Sequence, residues 1–468
     1  MTIGTLLRGY SDAHIAKLLI ATSVFIYLVV FAVVFLVGSA NGTSIEQMTA
    51  LRGGETSDVT EYVHLAENML GVGRFEISTA MGPEFLRVPG YPAFLALVLV
   101  VFQTLTVVPL IQTFFTTATV ALIYLIGVRY FPRAVAFAAA LIYLIDPVVI
   151  YATWVPISES LFMFFFVAAI YSIGSPSQRK WLPFLVGGIL LGVSIYMRPV
   201  GLYLAPLIAV MALAHTVSWK DAARGATIFL AVTLCIIAPW MFRNYMLAGH
   251  FSFSSGGAYN LYAANMPIFE QARTGVSYEQ IRRENNLKYF GTDEEDILRS
   301  FTYADEQARI AKETILAYPI EYALFHTAKS MQLFIGSSIV NTKYHLYKLG
   351  ILTGEPPHGE GAWGMLLQGR WGDALVQTFT HLPRLVERLA WLALYLGMLY
   401  TTYRAVRYRT AATPWIICAF LLVHAIAFMT GPSSDDTRYR MPLEPFLLLL
   451  GISGLYQIGN GLLRYWKR

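Results

Sequence analysis

The chain has 468 residues, of which 56% are hydrophobic and only 13% charged, with a formal net charge of +5. An ordinary soluble domain carries about 25% charged residues, so this composition excludes a soluble enzyme and places most of the chain in lipid. The basic excess sits in short loops and is not interleaved with exposed aromatics. It therefore reads as an orientation signal for membrane insertion rather than as affinity for nucleic acid.

A run of roughly 20 apolar residues spans a bilayer. The first such run, 15–38, follows a short basic N-terminus and exceeds the about 7–15-residue apolar core of a cleaved signal. It is expected to be an uncleaved span, although Val37-Gly38-Ser39-Ala40 mimics a cleavage site. Further spans are expected at 110–130, 134–152, 157–174, 182–197, 200–214, 226–242, 387–403, 412–430 and 443–462. Two segments are ambiguous: 89–106 is short and begins with two prolines, and 316–340 is interrupted by Glu321, His326 and Lys329. Charge decides between the topologies. If neither ambiguous segment crosses, the clusters Arg129/Arg133, Arg179/Lys180, Lys220/Arg224, Arg404/Arg407/Arg409 and Arg464/Lys467/Arg468 share the cytoplasmic side with Arg8 and Lys17. The loops bearing Asp58, Asp146, Glu159, Arg198, Arg243 and Arg438 then share the other side.

The expected fold is an all-α, polytopic transmembrane helix bundle of about 10–12 spans. It forms one membrane domain over 1–468, with a first external loop at 39–91 and an external elaboration at 243–386. In that elaboration, Ile297, Phe301, Ala304, Ala308, Ala311 and Ile315 recur at helical spacing over 293–317. Residues 341–385, rich in Gly, Pro and Trp, read as a surface loop with a short helix. Cys235 and Cys418 lie in apolar runs and read as packing residues, with neither a disulfide nor a zinc site.

Five polar sites interrupt apolar surroundings, and ionisable groups beside a membrane span are functional candidates by default. The first is Asp58 with Tyr62 and Ala66, which steps of four residues put on one helix face. It closes on Glu84, Arg87 and the turn Pro89-Gly90-Tyr91-Pro92, while Glu61 and Glu67 read as solvated loop charges. The second holds Asp146-Pro147 and Ser158-Glu159, where Ser158 reads as a helix cap and Glu159 in part as an acid complementing the helix dipole. The third is Arg198-Pro199. The fourth is Arg243-Asn244-Tyr245 followed by Asn260-Leu261-Tyr262. The fifth is Arg438-Tyr439-Arg440-Met441-Pro442. Arginines at external span ends could snorkel, but positive charge is depleted on this side and the arginine fork matches phosphate oxygens. The set points to an anionic ligand. Asp58, Glu84, Asp146 and Glu159 are oxygen ligands that suit Mg²⁺ or Mn²⁺ if they converge.

These motifs, in this order, resemble the GT-C glycosyltransferase superfamily, in its bacterial branch related to the protein O-mannosyltransferases and the lipid A aminoarabinose transferases. The resemblance implies transfer of a sugar from a polyprenyl-phosphate donor to an acceptor at the external face of a bacterial inner membrane. It implies Asp58 as the base and Arg87 as a donor-phosphate contact, with Tyr62, Glu84, Asp146, Glu159, Arg198, Arg243, Asn244, Tyr245, Arg438 and Arg440 around the substrates. Relatives often carry an acid directly beside that arginine; here Leu86 stands there, with Glu84 two residues earlier. Several also begin with paired acids, whereas Val59 follows Asp58 here. The acceptor is left open between lipopolysaccharide, another glycan, a lipid and a protein.

The residues fit that chemistry on their own terms: apolar helices supply a lipid groove, arginines stabilise charge on a leaving phosphate, and a carboxylate takes the acceptor's proton. There is no Walker-type phosphate loop to hold a nucleotide. Two rival classes share some of these features. A lipid or polysaccharide transporter would place charges near the bilayer midplane, often in repeated halves; here they gather at one face without a repeat. An O-antigen polymerase or ligase also handles polyprenyl lipids, but the Asp58 first-loop motif argues against it.

Overall fold

The computed structural model describes residues 9–44, 47, 58–78, 82–211, 218–353, 370–380, 382–431 and 437–466. Their regular structure is helical, and no strand occurs among the described residues. In chain order the first helices are α1 (Asp12–Ala40), α2 (Asp58–Gly71), α3 (Gly90–Phe102), α4 (Val108–Tyr130), α5 (Arg133–Ile145) and α6 (Pro147–Trp154). Next come α7 (Glu159–Ile173), α8 (Leu182–Met197), α9 (Val200–Val210) and α10 (Trp219–Ala248). The external elaboration contributes α11 (Gly256–Asn260), a π-helical turn (Leu261–Asn265), α12 (Met266–Thr274), α13 (Tyr278–Phe290), α14 (Glu295–Leu298) and α15 (Phe301–Ala317). It continues through α16 (Pro319–Ile335), α17 (Ser338–Lys348) and α18 (Trp371–Thr380). The chain closes with α19 (Leu382–Tyr408), α20 (Thr413–Thr430), a 3₁₀ turn (Thr437–Arg440) and α21 (Glu444–Trp466).

Each of the ten expected spans meets a helix of this bundle. Four helices, α1, α4, α10 and α20, are long and apolar enough to cross a bilayer alone, and α5 with α6, bent by 54° between Ile145 and Pro147, makes a fifth. That is fewer than the expected ten. Among the others, α7 begins at Glu159 and α8 stops before Arg198, so both end short, at the residues that build the site. The ambiguous segment 89–106 is the short apolar helix α3. The second, 316–340, runs from the end of α15 through α16 into α17. Of the 341–385 loop, residues 354–369 and 381 lie outside the described residues.

The core is apolar and continuous, drawing on α1 to α10 and on α19 to α21. Helices α7, α8 and α10 pack side by side, α4 sits against α1, α5 and α7, and α21 lies against α5 and α19. The α19–α21 crossing is glycine-made: a Cβ on Gly397 would strike the Gly451 carbonyl, and one on Gly454 the Gly397 carbonyl. Such small-residue contacts replace the missing hydrophobic drive between helices in lipid. Gly90 has a comparable reason, since a Cβ there would meet the Tyr196 carbonyl.

The chain reverses so that one end of the bundle is basic. There Arg133 pairs with Asp12 at 2.9 Å, Arg129 donates to the Tyr171 carbonyl at 2.9 Å, and Lys180 pairs with Asp221 at 3.0 Å. The opposite end of the same helices carries Asp146, Glu159 and Arg198.

Candidate active site

Helix α2 opens with two acids, Asp58 and Glu61, where the helix dipole favours negative charge. Val59, Tyr62, Leu65 and Ala66 are buried, which seats one face of the helix on the bundle. Asp58 and Tyr62 thus lie over the bundle end. Glu61, on the neighbouring face, is buried too, so the solvated-loop expectation for it does not hold.

Arg87 is presented by a loop whose backbone is held by several hydrogen bonds. Glu84 turns its carboxylate onto the backbone N–H of Leu86 at 2.6 Å and of Arg87 at 2.8 Å. The carbonyl of Glu84 accepts from Arg243 Nη1 at 2.9 Å, that of Phe85 from the Ser255 N–H at 3.0 Å, and that of Leu86 from Ser254 Oγ at 2.8 Å. Glu84 and Arg243 therefore build the loop and stand apart from the ligand-facing charges. Asn244 is buried and caps the turn after α10 through the carbonyls of Ser252 and Phe253, while Tyr245 is 51% exposed on the surface.

The charged groups form a single alternating chain. Arg299 donates through Nη1 and Nη2 to Glu61 Oε1 and Oε2, at 2.8 Å each. Glu61 also holds Arg87 Nε, and Arg87 Nη2 reaches Asp58 Oδ1 at 2.7 Å. Arg438 Nη1 takes the other oxygen of Asp58 at 2.8 Å and stands 3.8 Å from Glu159 Oε1, which is also paired with Arg198. Four arginines and three carboxylates alternate in order, with one formal positive charge left over.

Asp58 remains 25% exposed at its side chain, open enough to meet a ligand. Burial works to raise its pKa, but Arg87, Arg438 and Arg198 outweigh that and hold it below the ordinary carboxylate range. Glu61 is likewise lowered against burial, by Arg299 and Arg87. Arg87 lies over the Tyr62 ring at 5.5 Å. Tyr62 stands 3.4 Å from Ser158 Oγ and edge-on to Tyr91 at 5.0 Å. The Ser158 side chain makes no cap bond to α7, contrary to the expectation.

Asp146 and Arg440 belong to a second, buried cluster. Asp146 caps α6 by accepting from the Val148 N–H at 2.8 Å. Arg440 is 0% exposed, bonded to Glu444 at 2.9 Å and to the Gly336 carbonyl at 2.8 Å, with Asp146 at 3.5 Å and the Trp391 ring at 3.8 Å. Its guanidinium has no face left for a ligand.

Of the four acids only Asp58 and Glu159 approach one another, across Arg438, and among the described residues no group of three or more His, Cys, Asp or Glu could hold a metal ion. Asp58 and Glu159 are engaged by arginines, Glu84 by backbone amides, and Asp146 by its cap and Arg440. This donor set does not fit Mg²⁺ or Mn²⁺.

Three groups escaped the sequence. Arg299 sits in a polar segment where nothing distinguishes it from its neighbours. Glu61 lies one helix turn from Asp58 and was detectable only by its partner. Gln112, buried in α4, accepts from the Tyr91 hydroxyl at 2.7 Å and donates to the Val155 carbonyl at 2.8 Å; a glutamine inside an apolar run was its signal.

Among curated proteins, none matches this chain in sequence. Three solved structures are similar to it at 14% identity. One is the archaeal oligosaccharyltransferase AglB from Archaeoglobus fulgidus in complex with an inhibitory peptide and a dolichol-phosphate (TM-score 0.44, 94% of this chain and 51% of that chain). Another is an Archaeoglobus fulgidus oligosaccharyltransferase tethered with an acceptor peptide (TM-score 0.46, 94% and 50%). The third is ArnT from Cupriavidus metallidurans bound to undecaprenyl phosphate (TM-score 0.39, 93% and 78%). The chain thus spans about half the length of the first two. Residues 86–242, which carry Arg87, Glu159 and Arg198, match the family described as dolichyl-phosphate-mannose-protein mannosyltransferase, and over that segment the resemblance read from the motifs is borne out.

Proposed function

We propose that this chain is a glycosyltransferase that moves a sugar from a polyprenyl-phosphate donor to a hydroxyl of an envelope glycan, lipid or protein. The observation that carries this reading is the placement of Asp58 between Arg87 and Arg438 at the acidic-and-arginine end of an apolar helix bundle. A carboxylate alone makes a base and arginines alone make an anion site; this arrangement supplies both within one hydrogen-bond length. The bundle provides the apolar surroundings a polyprenyl chain needs, and the family match over 86–242 is in keeping with a lipid-phosphate-linked donor.

The donor phosphate competes with Asp58 for Arg87 and Arg438. As the guanidinium forks turn to phosphate oxygens, Asp58 loses its counter-ions and becomes a stronger base. The acceptor oxygen then attacks the anomeric carbon, its proton passes to Asp58, and the bond from that carbon to the phosphate oxygen breaks. The polyprenyl phosphate leaves with one more negative charge, which the arginines stabilise. No step runs through a metal. The active face is the one opposite the basic ends, external to the membrane, with the bacterial inner membrane as the setting.

The test is mass spectrometry of envelope glycans, lipids and proteins from cells carrying the wild-type chain, the Asp58→Asn chain or none. One sugar mass should be lost from the same molecule in the last two. Unchanged glycans, lipids and proteins in both overturn the reading.

A further inference from the structure

Arg87 is held from both sides. Its Nη2 reaches Asp58 and its Nε lies on Glu61, so two points fix the plane of the guanidinium. Glu61 is in turn gripped by Arg299 in a symmetric two-toothed contact, with both distances 2.8 Å. One oxygen of Glu61, Oε2, serves Arg87 and Arg299 together. How strongly Glu61 pulls on Arg87 therefore depends on whether Arg299 shares the carboxylate.

Arg299 is anchored by its backbone rather than by chance packing. Its carbonyl accepts from Ser255 Oγ at 2.7 Å, and the preceding carbonyl, of Leu298, accepts from Gln307 Nε2 at 2.7 Å. Two residues on, Phe301 packs against Phe85 at 5.1 Å and stacks on His250 at 5.1 Å. Phe85 belongs to the same loop as Arg87. Ser254, Ser255 and Phe301 thus touch the Arg87 loop directly, through hydrogen bonds and rings, while Arg299 reaches Arg87 through Glu61 of α2.

We infer that Arg299 is a positioning residue: by sharing Glu61 it keeps Arg87 turned toward the Asp58 side, where a phosphate would meet it. Without Arg299, Arg87 becomes the sole cation on a buried carboxylate and is drawn onto Glu61. Its fork is then spent on the protein and not on the ligand. This inference rests on the glycosyltransferase reading for its functional consequence, and on geometry alone for the linkage of Arg299 to Arg87.

The test uses the purified full chain in detergent or nanodiscs, with polyprenyl phosphate as the binding probe and donor turnover as the kinetic readout. Arg299→Gln should weaken polyprenyl phosphate binding and raise the donor KM about tenfold, the scale of one charge-assisted contact, with kcat within about threefold. Arg299→Lys, which keeps the charge and loses the fork, should recover part of that loss. In a Glu61→Gln background, Arg299→Gln should have no further effect, because the intermediary is gone. A purely structural clamp predicts the loss in Tm alone, with donor KM and polyprenyl phosphate binding unchanged in the molecules that stay folded, in both the wild-type and the Glu61→Gln background. That result overturns the inference. Double-mutant cycles on Tm between Arg299→Gln and Arg87→Lys keep the two readings separable. If the wild type neither binds polyprenyl phosphate nor turns over donor, the glycosyltransferase reading fails, and the positioning link stands or falls on whether this coupling vanishes with Glu61→Gln.

Discussion

Arg438 and Asp58, 380 positions apart in the chain, meet at 2.8 Å. The pair joins helix α2 to the turn before the last helix, so segments near the two ends of the chain meet at a common site. Asp58 shares its other oxygen with Arg87 at 2.7 Å. A carboxylate with an arginine on each oxygen is a poor base at rest. Under the proposed glycosyl transfer it would become a useful one only when an anion draws the arginines away, which would tie proton abstraction to the arrival of the donor.

Replacing Asp58 by Asn keeps the size of the side chain and removes its basicity. Turnover should fall at least ~100-fold, the scale of general-base catalysis. Folded yield should be retained, because the amide still offers an acceptor oxygen to Arg87 or Arg438. Near-normal turnover by purified Asp58→Asn would remove the base assignment.

The pH response follows from the same pair. Burial pushes the Asp58 pKa up, and Arg87, Arg438 and Arg198 together pull it below the ordinary value. A carboxylate lowered in the folded state stabilises the fold above its unfolded pKa of about 3.9, and that contribution is lost as pH falls through the lower, folded value. Replacing Arg438 by Gln removes one of the opposing charges and lets burial count for more. The acid limb of kcat/KM, and the onset of acid destabilisation read by Tm, should both move to higher pH. Profiles that superpose on the wild type would mean Arg438 does not govern Asp58.

Much of this molecule is legible in its sequence because lipid imposes a simple rule on the helices. Nine of the ten apolar runs each meet one helix and 134–152 becomes the bent pair α5 and α6, and the Asp58/Tyr62/Ala66 face is the buried face of α2, apart from the exposed edge of Asp58. The site is legible only in part, because residue type does not reveal a partner. Arg438 and Arg440 are two residues apart and look alike. One reaches Asp58, while the other is sealed beneath Trp391 with Glu444 and Asp146. In a 3₁₀ turn the side chains of neighbouring positions diverge, so their fates follow from local geometry that composition does not encode. Glu84 and Arg243 misled for a related reason. Both are charged, and both are spent on backbone groups of the loop that presents Arg87.

Sidedness can be tested by single cysteines in a background with Cys235 and Cys418 replaced. Asn244 is buried and is a poor reporter, whereas Thr274 and Arg309 are exposed on the elaboration that follows α10. Cysteines at 274 and 309 should react with a membrane-impermeant thiol reagent in intact spheroplasts. Cysteines at Arg179 and Arg407, at the basic ends of the bundle, should react only after the membrane is opened. The reverse pattern would invert the topology and place the Asp58 site on the cytoplasmic side.

Arg440 supplies the contrast that separates architecture from chemistry. Its guanidinium is fully buried and is shared between Glu444 and Asp146, the Gly336 carbonyl, Ser338 and the Trp391 ring. It thereby pins the 3₁₀ turn to α17, α19 and α21, and this fixes where Arg438 begins. Truncating one partner of a buried ion pair leaves an uncompensated charge and costs about 3–5 kcal/mol. Arg440→Ala should therefore lower the Tm sharply and reduce the folded yield. Arg438→Ala, at a site about one-fifth exposed, should lower the Tm by much less and act mainly on turnover. The two variants can be compared in one experiment, with Tm and donor turnover per folded molecule measured on both. Loss of turnover without loss of Tm in Arg440→Ala would bring that residue back among the ligand contacts and remove the division between the two clusters.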